Sequence, residues 1–207
     1  MTALGTDSGD RALDHGRVAT VRALLTADLD RIVRQTNGGA SVSRARRLMH
    51  VMLPAMQCAI LHRTAHLLQV RGWRRAAARV AGLSVRLTGA SIHPGSRVGP
   101  GLFVPHPARI AFCGTAGRDL VILPAAIVLP DAPSPAWLPF PADAPRLGDG
   151  VVIGAQAVVQ GRVALGDHAL VGVGVVTRRD VPAGVVTVQV MRQTVVARPP
   201  APAAEAA

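Results

Sequence analysis

The side chains of this sequence that could do chemistry are histidine, cysteine and arginine. There are seven histidines, two cysteines and 23 basic residues, all of them arginine. Cys58 and Cys113 lie far apart with no C-x-x-C spacing, so they indicate neither a disulfide framework nor a zinc site. A histidine with an unperturbed pKa of about 6.5 can take the proton of an attacking alcohol. A histidine of this sequence could therefore serve as a base, and no metal is predicted.

The arginines concentrate in the first part of the chain. The formal net charge is +11, and the segment from Arg44 to Arg86 contains nine arginines and no acidic residue. Such a field could attract an acidic carrier protein or a phosphorylated cofactor, and it could also be a plain solvated surface. The chain has no tyrosine, few other aromatics and no reader motif, so no nucleic-acid partner is predicted.

The residues before Gly89 predict helices. Apolar residues recur at helical spacing from Val21 to Val33 and stop at Gly38-Gly39, a good helix terminator. Three further helices are expected, starting near Ser43, Ala55 and Arg74. We therefore assign residues 18–89 to an α-helical region that follows a flexible N-terminus at residues 1–17.

The compartment is predicted from what the sequence lacks. Residues 1–20 mix Asp and Arg without an apolar segment, which is unlike a secretory signal. No apolar run reaches the roughly 18 residues of a membrane span. The prediction is a cytoplasmic protein without a membrane partner.

After Gly89, aliphatic residues recur every six positions. The first series is Ile92, Val98, Val104 and Ile110, continued through Ala116 by Ile122 and Val128, and the second is Leu147, Ile153, Val159, Leu165 and Val171. Three six-residue strands complete one triangular coil, and stacked coils place the aliphatic residue of each hexad in one interior column. The sequence therefore predicts a mainly β fold, a left-handed parallel β-helix over residues 90–198, with a disordered tail at residues 199–207.

A proline-rich segment interrupts the hexads between Val128 and Leu147. It contains six prolines, which lack the N–H that a strand ladder needs. We therefore predict a loop at residues 129–146. Such a loop could cover a site or reach a neighbouring subunit, and a loop without a role is the alternative. Trp137 and Phe140 favour the first interpretation, because rings in a loop usually cover something.

Three motifs resemble those of serine O-acetyltransferases. ASIHPGSRVGPGLFVPH at residues 90–106 is similar to the D-I-H-P-x-A-x-I-G-x-G-x-x-x-D-H that opens the β-helix in that family. LHRTAH at residues 61–66 resembles A-Y-R-x-x-H, and VVTRRDVP at residues 175–182 resembles V-V-T-K-D-V-P. The resemblance implies a hexapeptide-repeat acyltransferase that assembles as a homotrimer or a dimer of trimers.

The resemblance also implies the chemistry and its residues. An acetyl or other acyl group would pass from acetyl-CoA, or from the thioester of an acyl carrier protein, to a small-molecule acceptor. His106 matches the family's general base, and Ser91 stands where the family has the aspartate that orients this base. The implied donor site comprises small residues of the pantetheine groove and two phosphate-binding arginines: Ala155, Ala157, Gly174, Arg179 and Arg192.

Other positions depart from the family pattern. Gly114 replaces a supporting glutamate, Ala144 replaces a second histidine, and Asp143 replaces the arginine that meets the serine carboxylate. A serine site needs partners of opposite charge, because buried unpaired charges cost several kcal/mol. We therefore expect an acceptor other than L-serine. A non-catalytic β-helical scaffold is the alternative.

Overall fold

The computed structural model describes residues 18–38, 42–132 and 135–189. The predicted flexible N-terminus at residues 1–17 and the tail at residues 199–207 lie outside these ranges. The helices of the described ranges are α1 (Val18–Thr36), α2 (Arg44–Met49), α3 (Pro54–Val70) and α4 (Arg74–Thr88), with a 3-10 turn at His50–Met52. None of these helices is long and apolar enough to cross a membrane.

The helix ends follow from local chemistry. The Ser43 hydroxyl accepts a hydrogen bond from the Arg46 backbone N–H at 3.3 Å and caps α2. Pro54 begins α3, at a position where a helix needs no N–H partner. Gly89 ends α4 with a φ of 79°, a left-handed conformation that glycine adopts without steric cost. The chain then turns directly into the first strand.

The strands form three parallel sheets, which are the faces of a triangular prism. Face A contains β1 (Ala90–Ile92), β3 (Ile110–Phe112), β6 (Ile127–Leu129), β9 (Val158–Gln160) and β12 (Val176–Thr177). Face B contains β2 (Arg97–Val98), β4 (Thr115–Ala116), β7 (Arg146–Leu147) and β10 (Ala164–Leu165). Face C contains β5 (Val121–Ile122), β8 (Val152–Ile153), β11 (Leu170–Val171) and β13 (Val186–Thr187).

Because the chain visits the faces in the order A, B, C, the turns between strands form three edges. The A–B edge consists of residues 93–96, 113–114, 130–132, 135–145, 161–163 and 178–180. The B–C edge consists of residues 99–102, 117–120, 148–151, 166–169 and 182–185. The C–A edge consists of residues 105–109, 123–126, 154–157 and 172–175.

The proline-rich loop leaves the prism at the A–B edge. Leu129 and Arg146, which the prediction placed inside the loop, are strand residues of β6 and β7, so the loop proper is residues 130–145. The strand β7 pairs directly with β4 of the previous coil. The ladder of face B is therefore continuous across the loop.

The predicted hexad column fills the interior of the prism. All eleven aliphatic residues of the two predicted series are buried in one apolar cluster, with Ala116 packed against it. A second buried column lies two residues earlier in most hexads, because alternate residues of a strand point to the same side. Its members include Leu102, Leu120, Ala126, Val151, Ala157, Val163, Ala169, Val175 and Val181.

Helix α3 closes the N-terminal end of the prism. Cys58 and Ala59 belong to the same apolar cluster as the column residues, so the helix covers an end that would otherwise expose the core. Burial raises the pKa of the Cys58 thiol from 9.0 to about 12. Cys58 therefore stays protonated and is a structural residue, not a nucleophile.

A buried ion pair fastens the helices to the prism. Arg63 of α3 donates two hydrogen bonds to the Asp28 carboxylate of α1, at 3.0 and 3.1 Å. Arg63 is 2% exposed and Asp28 is fully buried. The carboxylate also accepts the backbone N–H groups of Gly101 and Leu102, at 2.9 and 2.8 Å, and Arg63 also donates to the Gly99 carbonyl at 2.7 Å. Both charges are thus solvated by the protein itself.

Replacement of Arg63 by methionine should lower the free energy of unfolding by about 3–5 kcal/mol, because Asp28 would stay buried without its partner. The matched control is Arg178→Met, which breaks an ion pair with Asp131 whose side chains are 61% and 60% exposed. This change should cost about 0–1 kcal/mol. Urea unfolding, followed by circular dichroism, measures the free energy of unfolding of both variants. Equal losses in the two variants would contradict the anchoring role of Arg63.

Candidate functional site

His106 lies on the C–A edge, in the turn that follows Val104. Pro105 and Pro107 flank it, and a proline on each side restricts the backbone of the histidine. The imidazole is exposed, and within the described residues it has no hydrogen-bond partner. The backbone of His106 is therefore restricted, and its side chain is open to a ligand.

Ser91 is exposed in the middle of β1, on face A. It stands opposite Ala111 in the parallel pairing of β1 with β3, so it is the polar residue at the start of an outward column that continues with Ala111 and Ile127. No hydrogen bond joins Ser91 to His106 in the described part of the chain. Support of the base by Ser91 stays a prediction.

The C–A edge brings together three of the predicted site residues, His106, Ala155 and Gly174. They belong to the turns 105–109, 154–157 and 172–175, and the Gly174 N–H donates to the Ala155 carbonyl at 2.9 Å. A Cβ at Gly174 would meet nothing within 4 Å, so the space outside the edge is open. The backbone N–H groups of Ala155 and Val173 donate no hydrogen bond to another described residue. Such amides can bind a polar ligand.

Each turn of this edge contains one residue in the left-handed conformation. The φ angles are 59° at Arg109, 58° at Ala125, 59° at Gln156 and 68° at Gly174. Three of these residues are not glycine, and such a conformation costs roughly 1–3 kcal/mol per residue unless the surroundings impose it. Hydrogen bonds from Ala125, Gln156 and Gly174 to the preceding coil, at 2.9–3.0 Å, impose it here.

Ala157 does not belong to the groove. Its side chain is fully buried in the apolar cluster, as a member of the second interior column. The prediction that Ala157 lines a donor site is wrong for its side chain, because Ala157 stands two residues before Val159 and points into the interior with it.

The two predicted phosphate contacts are not on the C–A edge. Arg179 is exposed in residues 178–180 of the A–B edge, so face A separates it from Ala155 and Gly174 of the same chain. Arg192 lies outside the described residues.

His93 is a buried histidine that the sequence analysis did not single out. It is 4% exposed, and its Nδ1 accepts a hydrogen bond from the Gly95 N–H at 3.0 Å. Nδ1 therefore carries no proton, and Nε2–H donates to the Pro135 carbonyl of the loop at 3.3 Å. Burial lowers the pKa of His93 below its usual value, and the bonds to loop carbonyls oppose this shift.

Phe140 folds back over His93, with ring centroids 5.7 Å apart. A Cβ at position 95 would lie 2.7 Å from the Cβ of Phe140, so Gly95 makes room for this contact. The prediction that the loop rings cover something is confirmed for Phe140. Trp137 is 70% exposed in the single chain, so contact of this ring with a neighbouring subunit stays a prediction.

Two further observations limit the chemistry of the site. Among the described residues, no three His, Cys, Asp or Glu side chains are grouped so that they could hold a metal ion. The two positions that replace the family's arginine and histidine lie at the end of the loop, where Asp143 is half-buried and Ala144 is 5% exposed.

Comparison with known proteins identifies the class and then the family. No family model matches the sequence. Serine acetyltransferase of Helicobacter pylori strain J99 is 30% identical over 155 residues, which are 73% of this chain and 88% of that protein. Serine acetyltransferases of Synechococcus elongatus and Mycobacterium tuberculosis are 33% and 32% identical over 67% and 68% of this chain. The chain spans only 56% and 60% of the length of these two relatives.

Solved structures give the same fold. An Entamoeba histolytica serine acetyltransferase in complex with cysteine matches with a TM-score of 0.73 at 20% identity, over 87% of this chain and 62% of that chain. A Neisseria gonorrhoeae serine acetyltransferase in complex with serine matches with a TM-score of 0.71 at 25% identity, over 83% and 68%. A serine acetyltransferase in complex with CoA matches with a TM-score of 0.69 at 19% identity, over 82% and 67%.

The fold and its helical cap thus define a left-handed parallel β-helix protein of the hexapeptide-repeat class, as the sequence predicts. Within this class, the chain belongs to the serine acetyltransferase family.

Acidification should destabilise the fold through His93. Because its pKa is lowered in the folded state, the unfolded chain binds a proton that the folded chain excludes. The stability contribution of neutral His93 is therefore complete above a pH of about 6.5 and is lost as the pH falls through the folded pKa. Thermal unfolding between about pH 8 and pH 5 should show a smaller loss of Tm in His93→Gln than in the unmodified protein.

The control for this experiment is His106→Gln, the same substitution at an exposed histidine. Its Tm should follow the unmodified protein at every pH. Parallel curves for His93→Gln and the unmodified protein would contradict a destabilising protonation of His93.

Proposed function

We propose that the chain is an acyltransferase that moves an acetyl or other acyl group from CoA, or from a carrier thioester, to a small hydroxyl or amino acceptor. The observation that carries this proposal is the C–A edge, which presents His106, Ala155 and Gly174 in one line. A related protein binds CoA, which supports the same kind of donor here. A cytoplasmic location would supply this donor, and it suits a chain in which Cys58 and Cys113 form no disulfide.

The spacing of the edge supports a long thioester arm. The turns that contain His106 and Val173 are three coils apart, about 14 Å at the usual spacing of paired strands. A small acceptor cannot span this length, whereas an extended pantetheine arm can. The outward N–H groups of Ala155 and Val173 would hold the polar groups of the arm and place the thioester next to His106.

In the proposed reaction His106 is the general base. Its imidazole takes the proton of the acceptor O–H or N–H while the oxygen or nitrogen forms a bond to the thioester carbonyl carbon. The carbon–sulfur bond then breaks, and the imidazolium returns the proton to the thiolate that leaves. Proton transfer of this kind contributes about 10²- to 10⁴-fold in rate. Because the imidazole of His106 is exposed, both substrates can reach it.

A homotrimer would complete the site. The outward columns of two faces are mainly apolar: Phe103, Val121, Val152, Leu170 and Val186 on face C, and Ala111, Ile127, Val158 and Val176 on face A. Face B instead presents Arg97, Thr115 and Arg146. Faces A and C are therefore the surfaces that neighbouring copies would cover, and the C–A edge lies between them. Arg179 of one copy could then meet a donor held on the edge of another.

The acceptor should differ from L-serine. Asp143 is a carboxylate where an arginine would be needed for the serine carboxylate, and it would repel that group. Ala144 is buried and apolar, so it replaces a histidine without replacing its hydrogen bonds. Ser91 carries no charge for a substrate ammonium. An acceptor that lacks the paired charges of an amino acid suits these residues better.

The alternative function is a non-catalytic β-helical scaffold. It is favoured by the exposed imidazole of His106, which has no hydrogen-bonded acid among the described residues. Loss of an orienting acid costs about 10⁴-fold in comparable base-and-acid arrangements. The scaffold does not need the open edge or the unpaired amides, so we favour the transferase.

Thiol release from acetyl-CoA, measured with a panel of amino acids, amino alcohols and hydroxy acids, tests the proposal. We expect release with at least one acceptor other than L-serine, and a decrease of about 10²-fold or more in His106→Ala. The control is His168→Ala, which removes an exposed histidine of the B–C edge and should leave the rate unchanged.

Three results would contradict parts of the proposal. If no acceptor supports release and no CoA binding is measured by calorimetry, the chain is a scaffold. If L-serine is the best acceptor, the acceptor assignment is wrong while the transferase stands. If His106→Ala keeps its full rate, another group is the base.

A further inference from the structure

Helix α4 has an inner face that packs on the protein and an outer face that the proposed reaction does not use. Ala77, Ala81 and Ser84 of the inner face are buried. The outer face carries Arg75, Arg79 and Arg86, whose spacings of four and seven residues place them in one stripe along the helix. All three are exposed, and none takes part in an ion pair of the described residues.

Apolar side chains border this stripe. Leu83 is 45% exposed and Leu87 is 62% exposed, both on one side of the arginines. Trp73, which precedes the helix, is 66% exposed and lines an open depression of about 510 Å³ together with Arg75 and Arg79. We call Trp73, Arg75, Arg79, Leu83, Arg86 and Leu87 the α4 surface.

The arginines at the start of α4 oppose the electrostatics of the helix itself, whereas Arg86 in the last turn complements the helix dipole. Arg74 and Arg75 stand in the first turn, at the positive end of the helix dipole, and this turn contains no acidic residue. Arg75 and Arg79 form a like-charged pair at a separation of four residues, which destabilises a helix. Nothing among the described residues offsets these charges, so a negatively charged partner would relieve both effects.

The α4 surface ends next to the proposed base. Gly89 terminates α4, and a Cβ at this glycine would lie 3.2 Å from the Cα of Ala108. The end of the helix therefore packs against the turn 105–109, which contains His106. The 15 residues of α4 extend about 22 Å away from this turn. A macromolecule bound along α4 would be close enough to reach His106 with a flexible arm.

We propose that the α4 surface docks an acidic carrier protein, which presents the acyl group to His106 as a thioester. This inference rests on the proposed acyltransferase function and names its donor. Carboxylates of the carrier would pair with the arginine stripe, and its apolar residues would pack on Leu83, Leu87 and Trp73. The acceptor forms a bond to the acyl carbon, the bond to the carrier sulfur breaks, and His106 passes the acceptor proton to the carrier thiolate.

Other occupants fit the α4 surface less well. Free CoA needs only a few cations near its phosphates, and a stripe that runs the length of a helix exceeds this need. An interfacial membrane helix has its apolar residues at the centre of the outer face, whereas α4 has arginine there. The shape and charge of the α4 surface therefore favour an acidic protein.

The test compares two donors, acetyl-CoA and a recombinant acyl carrier protein that bears acetyl-phosphopantetheine. The variant Arg75→Gln/Arg79→Gln/Arg86→Gln removes the stripe, and Arg97→Gln/Arg118→Gln/Arg146→Gln removes the same charge from exposed sites elsewhere on the prism. With the carrier donor, the stripe variant should raise the Kd and lower kcat/KM by about tenfold or more. With acetyl-CoA, the kcat/KM of the stripe variant should stay within about twofold of that of the unmodified protein. The control variant should change neither the Kd for the carrier nor kcat/KM.

The outcomes separate this inference from the proposed function. Thiol release from acetyl-CoA but not from the acetyl-carrier would overturn the docking and leave the transferase standing. Release from neither donor would overturn the transferase, and calorimetry with the carrier would then decide the docking by itself. An equal loss with both donors in the stripe variant would overturn the docking. The docking would also be overturned if the stripe variant still bound the carrier, or if the protein preferred anionic lipid vesicles to the carrier. A change of molar mass in the stripe variant alone would overturn it as well.

Discussion

The ion pair between Asp28 and Arg63 is the interaction on which the rest of the structure depends. It joins α1 to α3, and its remaining hydrogen bonds hold the first B–C turn at Gly99, Gly101 and Leu102. A buried ion pair adds little net stability compared with an apolar pair, but it accepts only one geometry. This geometry sets α3 across the open end of the prism. The first coil, which carries His106, is thereby fixed between the helices and the coils that follow.

The six-residue repeat then brings the residues of the candidate site into line with the first coil. Every coil turns at the same three places, so residues far apart in sequence stand in line along an edge. His106 and Gly174 are 68 residues apart in the numbering, yet both belong to the C–A edge. The regular ladder supplies the position, and the residues at the turns need to supply only the chemical groups.

The hexad column predicted the fold because one residue class repeats at one position in nearly every coil. The second interior column was not predicted, since it mixes Leu, Val and Ala. The family resemblance assigns Ala157 to the groove, although its side chain belongs to this column. The place of His93 could not be predicted either. It depends on Phe140, which reaches back over the edge from a loop whose path no periodicity describes. Turn residues such as His106 and Arg179 were recognised from local motifs, but motifs do not state which edge a residue occupies.

The way in which residues 130–145 leave and rejoin the prism has an evolutionary consequence. Val128 and Leu147 occupy successive places in the buried column, and β7 pairs with β4 in register although the loop lies between them. The loop can therefore change in length and composition without a penalty in the ladder. A lineage with this architecture can keep its coils unchanged while it replaces the loop. Sequence similarity measured over the coils then reports common ancestry more faithfully than it reports shared substrates.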